Sequence, residues 1–315
     1  MSPELNELYR RLADGQRHNG AALAEEMGVS RAAIWKRIES LRQIGLPISG
    51  TAGGGYRIDN AIELLDRQAI EDHLGSCSIQ VEVVGAVDST NARLAGSGNI
   101  HGRALVAEAQ KSGRGRRGRN WLSPPGGIYL SLGRNFESGL AGLSALSLMV
   151  GLSAARVINQ QCKVPAKVKW PNDLVVDDAK LGGCLVEISG AAEGPCQAII
   201  GIGINLNLPG SVALDQPFTS LSRHADAIAR NHLIGALLVE LDKDLLRLDR
   251  QGFEPFREQW RQFDSLAGRQ VRVAMPGGRD INGQAEGIDE QGRLLVRERD
   301  RVHPLGSGQV SVRVR

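Results

Sequence analysis

The sequence predicts an α+β protein of several domains: a winged helix-turn-helix, then a mixed-sheet α/β domain, then a small β-barrel of SH3-like size. Three observations predict this. Helical apolar spacing and a glycine-rich hairpin fill residues 1–62. Strand and helix patterns follow over residues 66–262, and short strands with glycine turns make up residues 268–315. A chain of 315 residues accommodates two or three such units.

Composition excludes several classes of protein. Hydrophobic residues make up 42% and charged residues 23%, as in an ordinary globular protein. A net charge of +3 is too small to indicate a nucleic-acid partner by itself. The four cysteines form no C-x-x-C pair, so neither a zinc site nor a disulfide framework is indicated. Without a signal-peptide pattern or an apolar run of roughly 18 residues, we expect no membrane association and a reducing cytoplasm.

The first unit has the pattern of a winged helix-turn-helix. Leucines at helical spacing predict a first helix over residues 5–12, and a second short helix ends at Gly28. Ser30 is a typical N-cap for a third helix, which ends at Gly45. Two short strands joined by the glycines at 53–55 form the wing.

The third helix is basic, as contacts to DNA phosphates require. Residues 1–60 nevertheless hold eight lysines and arginines against seven acidic residues, so the unit is nearly neutral. Such units also serve in dimerisation or protein docking, and both interpretations stay open. The candidate DNA-binding residues are Ser30, Arg31, Ala32, Trp35, Lys36 and Arg37.

The second unit has the pattern of a mixed α/β domain. Helices are predicted over residues 66–74, 143–160 and 231–248. Strands that follow one another without intervening helices favour a largely antiparallel or mixed sheet. The predicted strands cover residues 79–84, 104–108, 128–132, 168–170, 174–176, 181–188 and 197–204. In the third unit, strands are predicted over residues 271–274, 282–288, 294–298 and 310–314.

The most informative motif is Gly113-Arg114-Gly115-Arg116-Arg117-Gly118-Arg119. Glycine lets the backbone pass close to a ligand, and arginine offers donors that match carboxylate and phosphate. The motif lacks the Gly-Lys-Ser/Thr ending of a P-loop, and it is not repeated as RGG segments are. Two interpretations remain: a solvated surface loop, or a loop that folds over an acid and a nucleotide together.

Four further motifs have both a functional and a structural interpretation. Asp88-Ser89-Thr90-Asn91 can bond a neutral polar ligand or cap a helix. In Lys169-Trp170-Pro171-Asn172-Asp173, proline makes a corner whose last two residues serve a nucleotide or magnesium, or form a turn. Lys180 precedes two glycines and either reaches a ligand or is a hairpin lysine. Residues 201–207 lack the third glycine of a dinucleotide fingerprint, but their alternate glycines clear one strand face.

In this order, the motifs closely resemble those of the bacterial family of bifunctional biotin protein ligases and biotin operon repressors. The resemblance covers nearly the whole chain, from the winged helix to the small barrel. The Arg-Gly loop and the Trp-Pro-Asn-Asp corner are highly specific to this family and its lipoate-ligase relatives. The resemblance implies that biotin and MgATP form biotinyl-5′-AMP and pyrophosphate. A lysine of the biotin carboxyl carrier domain of acetyl-CoA carboxylase then attacks the mixed anhydride.

The resemblance also implies roles for particular residues. The closing loop and its partners would neutralise the two anions, with Arg116, Lys180 and Asp173 as catalytic residues and Asp173 as the magnesium ligand. Asp173 is also the candidate for helping to deprotonate the acceptor lysine. The implied biotin-binding residues are Ser89, Thr90, Asn91, Gln110, Arg114, Gly115, Arg116 and Lys180. The implied adenylate-binding residues are Arg116, Arg119, Trp121, Asn172, Lys180 and Asn205.

Family members with this N-terminal unit repress biotin synthesis genes as homodimers on a palindromic operator, with biotinyl-5′-AMP as corepressor. The chain departs from the family pattern over residues 206–219, which contain the expected adenylate-binding loop, and at the exposed Trp35. Two alternatives belong to other classes. One is a biotin-sensing transcription factor with little ligase activity, and the other is a lipoate or octanoate ligase.

Overall fold

The computed structural model of the protein describes residues 2–51, 53–59, 61–137, 139–191, 193–208, 216–226, 228–275, 278–307 and 311–314. Within these ranges the chain forms three successive units, as the sequence predicts. No helix in them is both long and apolar enough to cross a bilayer.

The N-terminal unit is a winged helix-turn-helix. The Ser30 hydroxyl caps the third helix by accepting from the amide of Ala33 at 3.2 Å. Leucines and isoleucines of all three helices pack with Tyr9 and Tyr56 into one small core. The elements are α1 (Pro3–Leu12), α2 (Gly20–Glu26), α3 (Arg31–Gln43) and the antiparallel hairpin of β1 (Ile48–Thr51) and β2 (Gly55–Ile58).

The central unit is built on a seven-stranded mixed sheet. Its strands are β3 (Gln80–Val87), β4 (Arg103–Gln110), β5 (Ile128–Phe136), β6 (Lys167–Lys169), β7 (Asp173–Val176), β8 (Ala179–Gly190) and β9 (Cys196–Ile204). Their order is β3-β4-β5-β9-β8-β7-β6. Only the β3–β4 ladder is parallel among the described pairs, so the predicted largely antiparallel sheet is confirmed.

Helices cover both faces of this sheet. Side chains of β5 alternate: Ile128, Leu130 and Leu132 enter the main core with two long helices, whereas Ser131 faces a short one. The two sheet faces therefore differ, one closed by apolar packing and the other lined by polar groups. The α-helices of the unit are α4 (Arg67–Glu71), α5 (Thr90–Ala95), α6 (Leu146–Cys162), α7 (Arg230–Gln251) and α8 (Glu254–Phe263).

The sequence analysis missed α8, although its signals are present. Pro255 stands in its first turn, a preferred position for proline, and Phe256 and Trp260 are buried at i, i+4 spacing. The opening helix predicted over residues 66–74 is shorter in the structure, since α4 ends at Glu71. Short 3₁₀ helices lie at Arg116–Gly118, Leu140–Leu143 and Leu221–Arg223.

The C-terminal unit is a five-stranded antiparallel sheet. Its strands are β10 (Gln270–Ala274), β11 (Ile281–Ile288), β12 (Leu294–Glu298), β13 (Arg301–Leu305) and β14 (Ser311–Val314), in the order β13-β12-β11-β10-β14. The sequence analysis missed β13. In the described pairing β13 and β14 are the two edges, so the small β unit is confirmed while closure into a barrel stays a prediction.

A buried hydrogen bond docks the C-terminal unit on the central one. The indole nitrogen of Trp170, a side chain only 2% exposed, donates to the carbonyl of Gly292 at 3.0 Å. Gly292 has φ +73° and lies so close to α6 that a Cβ would come 2.8 Å from Ala145 and Leu148. Glycine at this position lets the turn pack directly on the helix.

We predict that Trp170→Phe destabilises the protein by about 1–3 kcal/mol, because the buried carbonyl of Gly292 loses its donor. Urea unfolding followed by circular dichroism measures the change. Trp35→Phe is the matched control, because Trp35 is 50% exposed and its replacement should change stability by less than about 0.5 kcal/mol. Equal unfolding midpoints for the two variants would show that the indole contact does not hold the C-terminal unit in place.

Candidate active site

The polar face of the sheet carries the residues singled out by the sequence. Gly201 and Gly203 of β9 both face this side of the sheet, and a side chain from another part of the chain packs over each of them. A Cβ on Gly201 would lie 2.5 Å from Asn91 Oδ1, and one on Gly203 would lie 2.6 Å from Trp121 Nε1. The predicted clearing of one strand face is therefore present, and it brings Asn91 and Trp121 down onto the strand.

The Asp-Ser-Thr-Asn segment begins α5 and enters a buried hydrogen-bond cluster. Ser89 is the N-cap, accepting from the amide of Ala92 at 3.4 Å, so the capping interpretation is confirmed. Gln110 Oε1 accepts from the amide and the hydroxyl of Thr90 at 2.9 and 3.1 Å. The Ser131 hydroxyl lies 2.6 Å from Asn91 Oδ1. Thr90, Asn91 and Gln110 are thus brought together as the sequence predicts.

A carboxylate that the sequence analysis missed joins this cluster to the Arg-Gly loop. Glu187 Oε2 accepts from Asn91 Nδ2 at 2.7 Å and from Arg114 Nη2 at 3.0 Å. Alternation along β8 gave a signal for it, since Glu187 shares a strand face with Gly183. Ser131 gave a similar signal, as a polar residue between two leucines of its strand.

The Arg-Gly loop folds back on itself as a hairpin. Trp121 N donates to the Gly113 carbonyl at 2.8 Å, and Gly115 N donates to the Arg119 carbonyl at 2.7 Å. A Cβ on Gly113 would lie 2.3 Å from the Trp121 carbonyl, so only glycine allows this approach. Arg117 turns the chain with φ 59°. The glycines therefore set the backbone shape of the loop.

The arginines of the loop differ in their surroundings. Arg116 is half-buried and donates to the carbonyl of Ser307 in the C-terminal unit. Burial lowers the pKa of Arg116, Arg117 adds to the shift, and Asp173 opposes it. Arg114 and Arg119 are exposed, and Arg119 Nε donates to the Arg116 carbonyl at 3.5 Å. Arg116 is therefore an arginine of the loop that lies close enough to Asp173 to feel its charge.

Trp121, Lys180 and Asp173 form a second cluster beside Gly203. Lys180 Nζ lies 2.7 Å from Asp173 Oδ1 and 5.3 Å from the centroid of the Trp121 ring. Trp121 Nε1 is buried and has no hydrogen-bond partner among the described residues. An unpaired buried donor costs about 1–3 kcal/mol, so this nitrogen suits an acceptor supplied from outside the chain.

The two predicted asparagines brace the backbone around this cluster. Asn172 Nδ2 donates to the Cys184 carbonyl at 2.8 Å. Asn205 Nδ2 donates to the Thr219 carbonyl at 3.1 Å, and the Lys180 carbonyl is 3.4 Å away. Both amide groups hold loops near Lys180 in place. Half of the segment 206–219 that departs from the family pattern, residues 209–215, lies outside the described residues.

Carboxylates suited to a metal are few at this site. Among the described residues, no three His, Cys, Asp or Glu side chains come together as a metal cluster. Asp173 is therefore a single carboxylate, already paired with Lys180. A lone carboxylate fits Mg²⁺ only when the remaining ligands are water and the phosphates of a nucleotide, which is how this ion is commonly bound.

Four of the candidate DNA-binding residues lie on the exposed side of α3. Ile34 and Ile38 are buried in the core, whereas Arg31, Ala32, Trp35 and Lys36 are exposed and Arg37 is half-buried. Trp35 is 50% exposed, as the sequence analysis expects. The helix thus presents the cations Arg31 and Lys36 and the ring of Trp35 on an open surface, with Ser30 at its N-terminus.

Three domain families match the chain in the order of its three units. An HTH domain matches residues 4–57, the Biotin/lipoate A/B protein ligase family matches residues 84–205, and the Biotin protein ligase C terminal domain matches residues 267–313.

Whole-length relatives carry the same combination. The "Bifunctional ligase/repressor BirA" of Salmonella typhimurium is 38% identical over 96% of this chain and 95% of its own length. That of Escherichia coli is 37% identical over the same shares. A biotin protein ligase from Aquifex aeolicus, solved with biotin and ATP, superposes with a TM-score of 0.66 at 29% identity, covering 75% of this chain and 99% of that one.

We predict that Glu187→Gln loosens the Arg-Gly loop, because the neutral amide loses the charge-assisted bond to Arg114. Hydrogen exchange of amides 113–121 should accelerate several-fold. Global stability should change by less than about 1 kcal/mol, since the ion pair is partly exposed.

Glu82→Gln is the matched control for Glu187→Gln. Glu82 is a similarly exposed carboxylate on β3 that pairs with Arg93 at 2.7 Å. Its replacement should leave the exchange of the loop unchanged. If both variants gave the wild-type exchange rates for residues 113–121, Glu187 would not be holding the loop.

Proposed function

The chain belongs to the family of bifunctional biotin ligases and biotin operon repressors. We propose that it activates biotin with MgATP and transfers the biotinyl group to a lysine of the biotin carboxyl carrier domain of acetyl-CoA carboxylase. The observation that carries this proposal is the cluster of Lys180, Asp173 and Trp121 on the glycine-cleared sheet face, set in a chain related to such enzymes over nearly its full length.

In the first step, an oxygen of the biotin carboxylate forms a bond to the α-phosphorus of ATP. The bond between that phosphorus and the bridging oxygen breaks, and pyrophosphate leaves with its electron pair. Two anions must approach each other, so positive groups are needed around them. Arg114, Arg116 and Lys180 supply these, and charge built up in the transition state is stabilised best by groups already fixed in place.

In the second step, the acceptor lysine attacks the carbonyl carbon of the anhydride. An amide bond forms, and AMP leaves with the electrons of the bond between the carbonyl carbon and its phosphate oxygen. The amine, with an ordinary pKa near about 10.4, must lose a proton to become nucleophilic. Asp173 is our candidate to assist this loss. Its ion pair with Lys180 holds the carboxylate near the reacting groups.

The biotin head group is neutral and polar, so it needs hydrogen-bonding side chains. We place it against Ser89, Thr90, Asn91 and Gln110, whose buried cluster already pairs donors with acceptors. Arg114 and Gly115 would close the pocket beside it. Because Gln110 Nε2 also donates to Ser123 Oγ at 2.8 Å, the same residue ties the pocket to the end of the Arg-Gly loop.

The adenylate would lie along the second cluster. Trp121 offers a ring face and an indole N–H that no described residue accepts from, and Lys180 reaches the same ring. Arg116 and Arg119 would approach the phosphate, while Asn172 and Asn205 support the backbone around it. Mg²⁺ carried by the nucleotide phosphates would add charge neutralisation there, with Asp173 as its protein ligand.

We also propose that the chain represses biotin synthesis genes, with biotinyl-5′-AMP as corepressor and a homodimer as the DNA-binding form. The exposed cations of α3 suit contact with DNA phosphates, and the HTH domain match over residues 4–57 supports DNA binding by this unit. The sequence boundaries 1–62, 66–262 and 268–315 then separate DNA binding, ligation and the C-terminal unit.

Incubation with MgATP, an acceptor carrier domain and either biotin or lipoate tests the proposed reaction. We expect the acceptor to gain the mass of one biotinyl group and no lipoyl group. Intact-protein mass spectrometry measures the gain. A biotin- and ATP-dependent gel shift without any transfer would favour the sensor without ligase activity. Transfer of lipoate alone would favour the lipoate-ligase alternative.

Arg116→Gln should speed release of the adenylate by at least about tenfold, because a half-buried cation then no longer holds its phosphate. Single-turnover release of radiolabelled adenylate measures the rate. Arg117→Gln is the control, since Arg117 lies in the same loop but is exposed. Equal release rates for both variants would remove Arg116 from the closing role.

A further inference from the structure

One buried carboxylate joins three parts of the chain. These are the winged helix, the segment of residues 61–66 (the linker) and the central unit, called the ligase domain from here on. Glu108, in the second half of β4, accepts three hydrogen bonds from three parts of the chain. Tyr9 of α1 donates its hydroxyl at 3.1 Å, the Leu65 amide of the linker donates at 2.7 Å, and Arg230 of α7 donates through Nη1 at 2.7 Å. No sequence motif pointed to this group.

The members of this interdomain cluster (Tyr9, Glu108 and Arg230, with Leu65 N) are shielded from water. Tyr9 is fully buried, Arg230 is 1% exposed and Glu108 is 5% exposed. Burial raises the pKa of Tyr9, and the neighbouring Glu108 charge raises it further, so the phenol stays a donor. A hydrogen bond to a charged acceptor in such surroundings is stronger than a neutral or exposed one.

Polar contacts also fasten the linker beside the cluster. Glu63 accepts hydrogen bonds from the amides of Arg230 and Asn231 at the start of α7. A negative charge at this end of a helix interacts favourably with the helix dipole. Asn231 in turn donates to the Leu64 carbonyl at 2.9 Å and accepts from the Asp66 amide at 3.0 Å. These bonds hold the linker together with the buried side chains of Ile62 and Leu65.

The interdomain cluster lies next to the residues that hold the Arg-Gly loop. Glu108 stands two residues before Gln110, which binds both Thr90 and Ser123. The end of α3 touches the same region, since a Cβ on Gly45 would lie 2.8 Å from Pro124. The winged helix therefore meets the ligase domain at β4 and immediately after the Arg-Gly loop.

From this geometry we propose that Tyr9 is a positioning residue, whose hydroxyl fixes the orientation of the winged helix on the ligase domain. A homodimer that binds two DNA half-sites must present its two recognition helices, one from each protomer, at a set spacing. A fixed domain orientation supplies that spacing. The effect on DNA rests on the proposed repressor function, whereas the effect on orientation does not.

Tyr9→Phe tests the proposal, because it removes one oxygen and keeps the buried ring. Amide exchange of residues 61–66 should accelerate at least about fivefold, since the Leu65 amide and its neighbours open more often. Exchange within α6 should not change. Ligation of a carrier domain should keep its kcat/KM within about twofold, because Tyr9 touches no proposed substrate residue.

DNA binding is measured with a duplex selected from a random pool by the wild-type chain in the presence of biotin and MgATP. Tyr9→Phe should weaken binding to this duplex at least about fivefold. If wild-type selects no duplex, the repressor function fails, and the exchange result still decides the positioning role. Wild-type exchange over residues 61–66 overturns the proposal, and so does a parallel fall in ligation and DNA binding.

Tyr56→Phe is the matched control variant. Tyr56 is a second buried tyrosine of the winged helix, 2% exposed, and it lies in the core of that unit with no described hydrogen bond to the ligase domain. It should leave the exchange of residues 61–66 at the wild-type rate.

Discussion

The structure depends on the buried ion pair of Glu108 and Arg230. The guanidinium binds Glu108 at 2.7 Å and the Gly127 carbonyl at 2.6 Å, and the carboxylate gathers the tyrosine and linker amide around it. Removing one partner of such a pair typically costs about 3–5 kcal/mol, because the other charge is left buried. The winged helix, the linker and the ligase domain therefore meet at Glu108. This holds the winged helix close to the start of the Arg-Gly loop.

The candidate active site follows from a second constraint, close approach at glycine. Gly113 lets the two sides of the Arg-Gly loop come together, and Gly201 and Gly203 let Asn91 and Trp121 rest on β9. The cationic groups are then placed by a rigid sheet and a folded loop rather than by flexible side chains alone. Charged groups stabilise a transition state efficiently when they are fixed in place beforehand. The sheet and the folded loop fix the cationic groups in this way.

Sequence patterns predicted much of the fold and part of the site. The three units, the mixed sheet and the two long helices follow from apolar periodicity and turn residues, because these report which face of an element is buried. Lys180, Asp173, Thr90 and Gln110 were predicted as candidate residues, but the contacts of Lys180 with Asp173 and of Thr90 with Gln110 were not. Glu187 and Ser131 were missed, since a single polar residue in a strand is also typical of a solvent-facing position.

The sequence by itself determined the order of the domains, the family and the residue types available for an anion site. Only the tertiary structure decided which of those residues meet, and that Asn172 and Asn205 support backbone. It also decided that a carboxylate of β4 joins an N-terminal tyrosine to an arginine more than 100 residues further along the chain. Local patterns report burial and turns, whereas a hydrogen bond between distant residues depends on how whole elements pack, which no local pattern encodes.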